Sequence, residues 1–343
     1  MTRLASKIIG GMFGLDARFQ PAPAPPPFIE PGSLLLANAR SGIRVLIEQL
    51  KPARVWMPSY LCAAMLDGAG DAPVHFYAVG ADLSVPDLNG IAERDLVIIV
   101  DYFGFPAPVS LIQHAKSRGA WVLEDACQAL LTGGVGRLSD FVLFSPRKFV
   151  GTPDGGILTS HSDFKLDQLR LEDPPASWAL KAFEAVVLRR EFDLYGGDRR
   201  WFTVFQELER ECPVGRFRMS DVSQMLLLHT FDYAAIAQAR RENYARLAGR
   251  LGGIALFPSV PPHVAPLGFP VRVEARDRVR EALFAACIYP PVHWPISDIV
   301  PDRFTDSRRL SREILTLPCD QRYTPEDMDR MAAIVLETLA SER

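Results

Sequence analysis

Between residues 54 and 160 the chain carries six short apolar runs, and the most constraining is DLVIIVDYFG (95–104), whose Leu-Val-Ile-Ile-Val core does not alternate. A strand with one wet face alternates apolar and polar residues. A strand apolar at every position is covered on both faces, as in a mainly parallel sheet between helix layers. The other runs are RVWMPS (54–59), VHFYAV (74–79), AWVLEDA (120–126), FVLFS (141–145) and GILTS (156–160). Ile43, Leu46, Ile47 and Leu50 keep one apolar face over 42–50, and 107–118 forms a second helical stretch. Strands interleaved with helices predict an α/β fold with a doubly wound, mainly parallel sheet.

At 343 residues the chain exceeds one ordinary core, so a second, smaller domain is expected. Ser220 and Asp221 look like the N-cap of a helix that continues, with a break, through RRENYARL (240–247). A strand FPVRVEA (269–275), a helix over 276–287 and a last helix in TPEDMDRMAAIVLETL (324–339) follow, which predicts a small α+β domain. The expected division is a proline-rich lead-in over 1–32, a large domain over 33–230 and a small C-terminal domain over 231–343. The charged, aromatic stretch 170–212 shows few strand signals.

Net charge is −3 with no basic block, so nucleic acid is not an expected partner. The five cysteines are scattered without a CxxC pair, which predicts a reducing, cytoplasmic setting. The six histidines lack metal-ligand spacing, and no apolar run reaches membrane length. The run IIGGMFGL (8–15) follows Arg3 and Lys7 but is broken by glycines and closed by Asp16 and Arg18, so a signal peptide is not expected.

Chemistry enters with Lys148, in FSPRKFVGTPDGG. The chain has six lysines against thirty-two arginines, and only a lysine offers an amine that can deprotonate and bond a carbonyl carbon. Ligands of α/β sheets bind beyond the carboxyl ends of the strands. There AWVLEDACQA offers Glu124, Asp125 and Gln128, FVLFS offers Ser145 and leads to Lys148, and Ser41 and Gly42 stand at a helix N-terminus suited to a phosphate. A lysine, a carboxylate and a phosphate cradle match the needs of pyridoxal 5'-phosphate. Taken singly, Asp125 also reads as a turn-capping carboxylate and Lys148 as a solvated lysine beside a glycine turn. His293 in PPVHWP (290–295) reads either as a packed loop histidine, the favoured reading, or as a residue reaching the active site from the small domain; Asp101 reads as a turn anchor and Cys127 as a small core residue.

LEDACQA (123–129) resembles the "ED-A-Q-A" segment of the DegT/StrS family of nucleotide-sugar aminotransferases, and FSPRKFVGTPDGGIL (144–158) resembles its Schiff-base segment. MPSYLCAAML (57–66), FRMSDVSQMLLL (217–228) with RRENYARL, and LTLPCDQRYTPEDM (315–328) are similar to further family segments in the family's order. The resemblance implies the type I aminotransferase fold, with Lys148 as Schiff-base residue and proton shuttle. Asp125 would pair with the cofactor's ring nitrogen, Gln128 would lie near its phenolic oxygen, and Tyr60 would cover the ring face. Ser41 and Gly42 would hold the phosphate through backbone amides and Ser145 through its hydroxyl, although Ser145 and Lys148 are three residues apart where the family has five. Arg216 matches the asparagine that family members lend to the neighbouring subunit's phosphate, which implies a homodimer in which Arg216 serves either that phosphate or a negatively charged substrate.

The implied activity is transfer of an amino group, from glutamate by family analogy, to a keto-sugar nucleotide; both partners are small molecules. Two other readings differ. A related sugar dehydratase carries histidine in place of the lysine, so Lys148 counts against it. A non-catalytic binding subunit is disfavoured by the retained Lys148, Asp125 and Gln128.

Overall fold

The computed structural model describes residues 7–16, 22–166 and 168–341. In chain order the first half forms β1 (Ile9–Gly10), β2 (Leu34–Leu36), α1 (Ala39–Leu50), β3 (Val55–Pro58), α2 (Ala64–Ala69), β4 (Val74–Tyr77), β5 (Leu96–Val100), α3 (Val109–Ser117), β6 (Trp121–Asp125), β7 (Phe141–Phe144) and β8 (Gly156–Ser160). Then come α4 (Ala176–Tyr195), α5 (Arg200–Arg210), α6 (Asp221–His229), α7 (Tyr233–Leu251) and β9 (Phe269–Arg272). The chain closes with α8 (Arg276–Ala285), β10 (Ile288–Tyr289), α9 (Thr305–Glu313), β11 (Ile314–Leu317) and α10 (Pro325–Ala340).

The central sheet has the order β2-β8-β7-β6-β5-β3-β4. Strands β3 to β7 run parallel, while β8 is antiparallel to both its neighbours, β7 and β2. All five residues of β5 are buried, as the unalternating run requires. Along β7 the side chains divide between two cores. Phe141 and Leu143 join the apolar cluster with Ile43, Leu46 and Ile112, whereas Val142 and Phe144 join Leu226, Leu227 and Tyr233. Period-two alternation is therefore present, but both faces are covered and no polar side chain marks it.

Every predicted strand of the large domain forms, and β2 is an addition at the sheet edge. The larger difference is the helical pair α4 and α5 in the stretch 170–212. Trp178, Ala182 and Ala185 pack there on Val204 and Leu208, and Trp178 Nε1 donates to the Leu208 carbonyl at 3.1 Å. The helical signal of α4 is blurred because Leu180, Val187 and Leu194 lie exposed on its outer side. At the N-terminus, Ile9 pairs in parallel with Ile288 and is buried with Tyr244, Phe269 and Met331. Part of the expected lead-in thus belongs to the core of the C-terminal unit. No helix among the described residues is long and apolar enough to cross a membrane.

The Gly-Gly pair after Lys148 has a steric cause. Gly155 holds a φ of +147°, and its N–H donates to the Ala37 carbonyl at 2.9 Å. A Cβ on Gly156 would stand 2.3 Å from the Asn38 carbonyl carbon and 2.6 Å from Ala39 N. Only glycine lets β8 pass so close to the start of α1. Gly156→Ala is expected to destabilise the fold by about 1–3 kcal/mol, the usual cost of forcing extra atoms into a packed interior. Thermal melting checks this, and an unchanged midpoint would contradict the steric account.

Candidate active site

After β7 the residues Pro146–Lys148 make a single 3-10 turn in which the Lys148 N–H donates to the Ser145 carbonyl at 3.2 Å. Residues three apart eclipse in such a turn. The short spacing therefore raises Ser145 and Lys148 on the same side. Behind the turn Phe149 is fully buried. Its carbonyl accepts from Gln321 Nε2 at 2.7 Å, and the Arg240 guanidinium stacks 4.3 Å from its ring centre. The backbone is anchored while the Lys148 side chain stays exposed. Asp154, in the same loop, accepts from Ser220 N at 2.9 Å and Ser220 Oγ at 2.6 Å, which ties the N-cap of α6 to the lysine segment.

Two adjoining cavities open at the carboxyl ends of the parallel strands, with Lys148 and Arg40 in the wall of both. The smaller, about 60 Å³, is lined by Val100 from β5, Asp125 from the end of β6, Gln128, Lys148 and Trp294. Its strand lining comes from β5, β6 and β7, with Cys62 and Ala64 from the segment after β3, at the carboxyl edge where ligands of open α/β sheets bind. The larger, about 750 Å³, takes in Ser145, Lys148, Glu209 and His293. A third hollow of about 1490 Å³, bounded by the N-terminal segment, α4 and α7, contains neither Asp125 nor Lys148.

Asp125 is almost completely buried and accepts from Cys127 N at 3.0 Å. Gln128 accepts from Phe103 N at 2.7 Å, which fixes its amide so that Nε2 is buried without a partner. A buried donor without an acceptor is costly, and a ligand oxygen in the cavity would satisfy it. Burial and the neighbouring Asp125 carboxylate push the Cys127 thiol well above its ordinary pKa, consistent with an inert packing residue. Asp101, also buried, accepts from Ala107 N at 2.8 Å and anchors the turn after β5.

Lys148, Asp125 and Gln128 are brought together around one cavity, and Ser145 joins Lys148 in the other. Ser41, Gly42 and Tyr60 are not. Asn38 is the N-cap of α1 and its Oδ1 takes the Ser41 N–H at 3.0 Å. Ser41 is fully buried, with its hydroxyl occupied by Asn38 and Gly215. A Cβ on Gly42 would stand 2.5 Å from Leu143 Cδ1. From α1, Ala39 and Arg40 line both cavities and Ile43 the smaller one, because the cap sits earlier in the chain than the Ser-Gly pair suggests. Tyr60 is fully buried, its ring packed on Tyr102 and Trp294 at centroid distances of 5.7 and 5.4 Å. Cys62 and Ala64 take the wall position from its segment, and the aromatic facing the cavity of Asp125 is Trp294. Arg216 lines neither cavity of its own chain; it is half-buried and paired with Glu48 at 3.0 Å.

Several site residues lie outside the motifs. Glu209, near the end of α5, bridges two guanidiniums, with Arg40 Nη2 on Oε2 and Arg147 Nη2 on Oε1, each at 2.6 Å. Arg40 Nη1 also donates to the Glu209 carbonyl at 3.0 Å. Burial alone would raise the Glu209 carboxyl; Arg147 and Arg40 outweigh it and hold the group below its ordinary value. The sign follows from linkage. A depressed folded pKa contributes stability that is full above the unfolded value and is lost as pH falls through the folded one. The stability gap between wild type and Glu209→Gln should therefore be widest above about pH 5 and narrow on acidification. Melts across pH 3 to 7, about the range in which carboxylates titrate, check this, and a constant gap would contradict the ion-pair account.

His293 also lines the larger cavity, as the less favoured of its two sequence readings has it, and its Nδ1 lies 2.9 Å from Thr316 Oγ1. Burial, with the charge of Lys148, lowers its pKa to about 3, so the imidazole is neutral at working pH. The placement of a helix cap before Ala39 was the available signal for Arg40. Nothing in the sequence pointed to Glu209, which reaches the site only through the α4–α5 packing.

Comparison with known proteins agrees with this geometry. A UDP-N-acetyl-3-dehydro-α-D-glucosamine 3-aminotransferase from Acidithiobacillus ferrooxidans is 25% identical over 263 residues, 71% of this chain and 64% of that protein's length. The chain thus aligns with less than two thirds of that relative. The solved aminotransferase TlmJ from Streptoalloteichus hindustanus superposes with a TM-score of 0.63 at 19% identity, covering 91% of this chain and 87% of that one. The putative sugar aminotransferase Spr1654 from Streptococcus pneumoniae, in its PMP form, gives 0.65 at 16% identity over 91% and 88%. These likenesses establish the fold, the type I fold of pyridoxal-phosphate-dependent aminotransferases. Residues 91–336 match the sequence profile of one family across most of the chain, and this protein belongs to it: the DegT/DnrJ/EryC1/StrS aminotransferase family.

Proposed function

We propose that the protein is a pyridoxal-phosphate-dependent aminotransferase that passes an amino group from glutamate to the keto carbon of a nucleotide-linked sugar. The observation that carries this reading is the one small cavity shared by Lys148, Asp125 and Gln128, whose Nε2 has no partner, with the start of α1 in its wall. These residues suit the cofactor. Lys148 offers the amine that bonds its aldehyde, Asp125 a carboxylate for the ring nitrogen, Gln128 a free donor for a ring oxygen, and Ala39 and Arg40 the amides of a helix N-terminus for the phosphate. When bound, the cofactor supplies an electron-withdrawing ring that makes a substrate C–H acidic.

The protein's own part is to place groups around that chemistry. The Lys148 amine sits on an anchored turn, where it can take a proton and return it without the backbone moving. Asp125 lies nearly buried, so its charge acts through protein rather than water. His293, neutral beside Lys148, adds a polar group without a second positive charge. Trp294 and Cys62 wall the small cavity and restrict water.

The test is reconstitution with pyridoxal phosphate, then glutamate, then a panel of nucleotide-linked keto-sugars, following the absorbance of the bound cofactor. Glutamate should convert it, and one keto-sugar should restore it. A spectrum unmoved by any amino donor would overturn the reading.

The proposed working unit is a cytoplasmic homodimer with shared sites, Arg216 serving the neighbour's. Its support is position: Arg216 lies outside the cavities of its own chain with 41% of its side chain exposed. Mixing inactive Lys148→Ala and Arg216→Ala chains should restore partial activity, because one site per hybrid then lacks both lesions. Hybrids that form but stay inactive would refute the sharing.

A further inference from the structure

Glu124 precedes Asp125 in β6 and faces away from the small cavity. In the parallel register Ile99 stands beside Glu124 and Val100 beside Asp125. Side chains alternate along a strand. The face that turns Val100 and Asp125 to the cavity therefore turns Glu124 to the other side, together with Asp101, one residue beyond the end of β5. Both carboxyls are buried, Asp101 completely and Glu124 with 3% exposed, and they lie within hydrogen-bonding reach of each other.

Asp101 spends only half of its carboxyl on the turn after β5. Its Oδ1 accepts from Ala107 N at 2.8 Å, whereas Oδ2 is buried with no donor. A buried acceptor left unmatched is costly, and two buried carboxylates side by side repel with little water to screen them. One proton held between the two groups removes both costs, because the neutral acid donates to its ionised neighbour. Burial first, and then the facing Glu124, raises the Asp101 carboxyl well above its ordinary pKa, and the Ala107 N–H does not offset them. The groups acting on Asp101 are two carboxyls, Glu124 and Asp125, and that one N–H, with no cation among them. Asp125 in turn faces Tyr77, Tyr102 and Cys127, all kept protonated by burial. Helix α3, which packs on β5 and β6, turns Ile112 and Ala115 inward and leaves His114 and Lys116 exposed. The loop 263–267, whose Leu267 N donates to the Phe103 carbonyl at 2.9 Å, carries one ionisable side chain, His263, and it is exposed.

The turn that Asp101 holds reaches the cavity through Gln128. Phe103 stands in it at a φ of +57°, a left-handed conformation that a bulky residue keeps only where the chain around it is fixed. The Phe103 N–H donates to Gln128 Oε1 and so leaves Gln128 Nε2 for the cavity. We propose that Asp101 and Glu124 share one proton, and that this buried pair positions the Gln128 amide from the opposite face of the sheet. When the proton leaves, the two charges push apart and the turn that orients Gln128 loosens. The pair itself stands on geometry alone; only its service to a bound cofactor rests on the proposed function.

A carboxyl with a raised folded pKa contributes stability that is full below the unfolded value, about pH 4, and is lost as pH rises from there through the folded one. Asparagine at position 101 keeps an acceptor for Ala107 N and a donor for Glu124 but does not ionise. The wild-type melting midpoint should therefore fall relative to that of Asp101→Asn as pH rises from about 4 to about 9. Infrared spectra of the cofactor-free protein in heavy water at neutral pH should show the carbonyl band of a neutral carboxylic acid. Asp101→Asn and Glu124→Gln should each abolish that band, and Glu124→Gln carries both readings where Asp101→Asn fails to fold. A wild type without the band, or a melting gap constant with pH, would overturn the shared proton.

Cofactor-loaded protein tests the positioning. Thr132 Oγ1, which donates to the Gly104 carbonyl at 2.7 Å, keeps the far side of the turn attached in Asp101→Ala. That variant should move the absorbance maximum of bound pyridoxal phosphate in the same direction as Gln128→Ala, and the double variant should move it no further. Asp101→Asn should restore the wild-type maximum. Either single alanine variant at the wild-type maximum, or a double variant shifted by the sum of the two, would overturn the link to Gln128. A protein that shows the acid band but takes up no cofactor would refute the proposed function and keep the pair.

Discussion

Lys148→Ala is expected to abolish the borohydride-reducible link between the protein and pyridoxal phosphate while leaving the fold intact. Of the six lysines only Lys148 lines the cavity of Asp125 and Gln128. Lys7, Lys116 and Lys181 are engaged with Asp327, Asp140 and the Glu207–Glu211 pair, all away from it. The Lys148 side chain is exposed, so its truncation leaves no void in a packed core. Peptide mapping after reduction should find the label on Lys148 in wild type and nowhere in the variant. A label on Lys51, Lys116 or Lys165 would sink the assignment.

Asp125→Asn should lower the rate of the half-reaction with an amino donor by several orders of magnitude, with a modest loss of cofactor affinity. The substitution is close to isosteric, and an asparagine oxygen can still accept from Cys127 N, so the turn at the end of β6 keeps its geometry. What is lost is the negative charge that holds a proton on the cofactor's ring nitrogen, and an amide cannot replace it. Burial makes that charge count, because few water molecules reach Asp125 to screen it. Stopped-flow rates decide the matter. A rate within about tenfold of wild type, or ~1.4 kcal/mol of barrier, would mean that Asp125 is not the ring partner.

Asp125, Gln128 and Lys148 were legible for the same reason that the sheet was. Asp125 ends the run WVLED, Gln128 lies three residues beyond it and Lys148 four beyond FVLF; both runs are apolar enough to be strands, and parallel strands all deliver their carboxyl ends to one edge. The doubly wound sheet and the helices α1, α3, α6 and α10 were likewise written locally, in unbroken apolar runs, in periodic apolar faces and in caps such as Ser220 and Thr324. Those signals need only neighbouring residues, so the sequence by itself determined them.

Tertiary structure decided the rest. Whether the phosphate cradle begins at Ser41 or at Ala39 depends on where α1 is capped, and Asn38 is held as the cap by the Pro213 carbonyl, 175 residues away. Tyr60 was drawn into the core against Tyr102, because burying a large ring outweighs leaving it in a cavity wall. Trp294 and Glu209 reach the site from a loop and a helical hairpin, neither of which carries a local mark of its destination. Local pattern specifies which element a residue joins and which face it takes. Only long-range packing specifies what that face meets, and a site assembled from several elements is specified by those meetings.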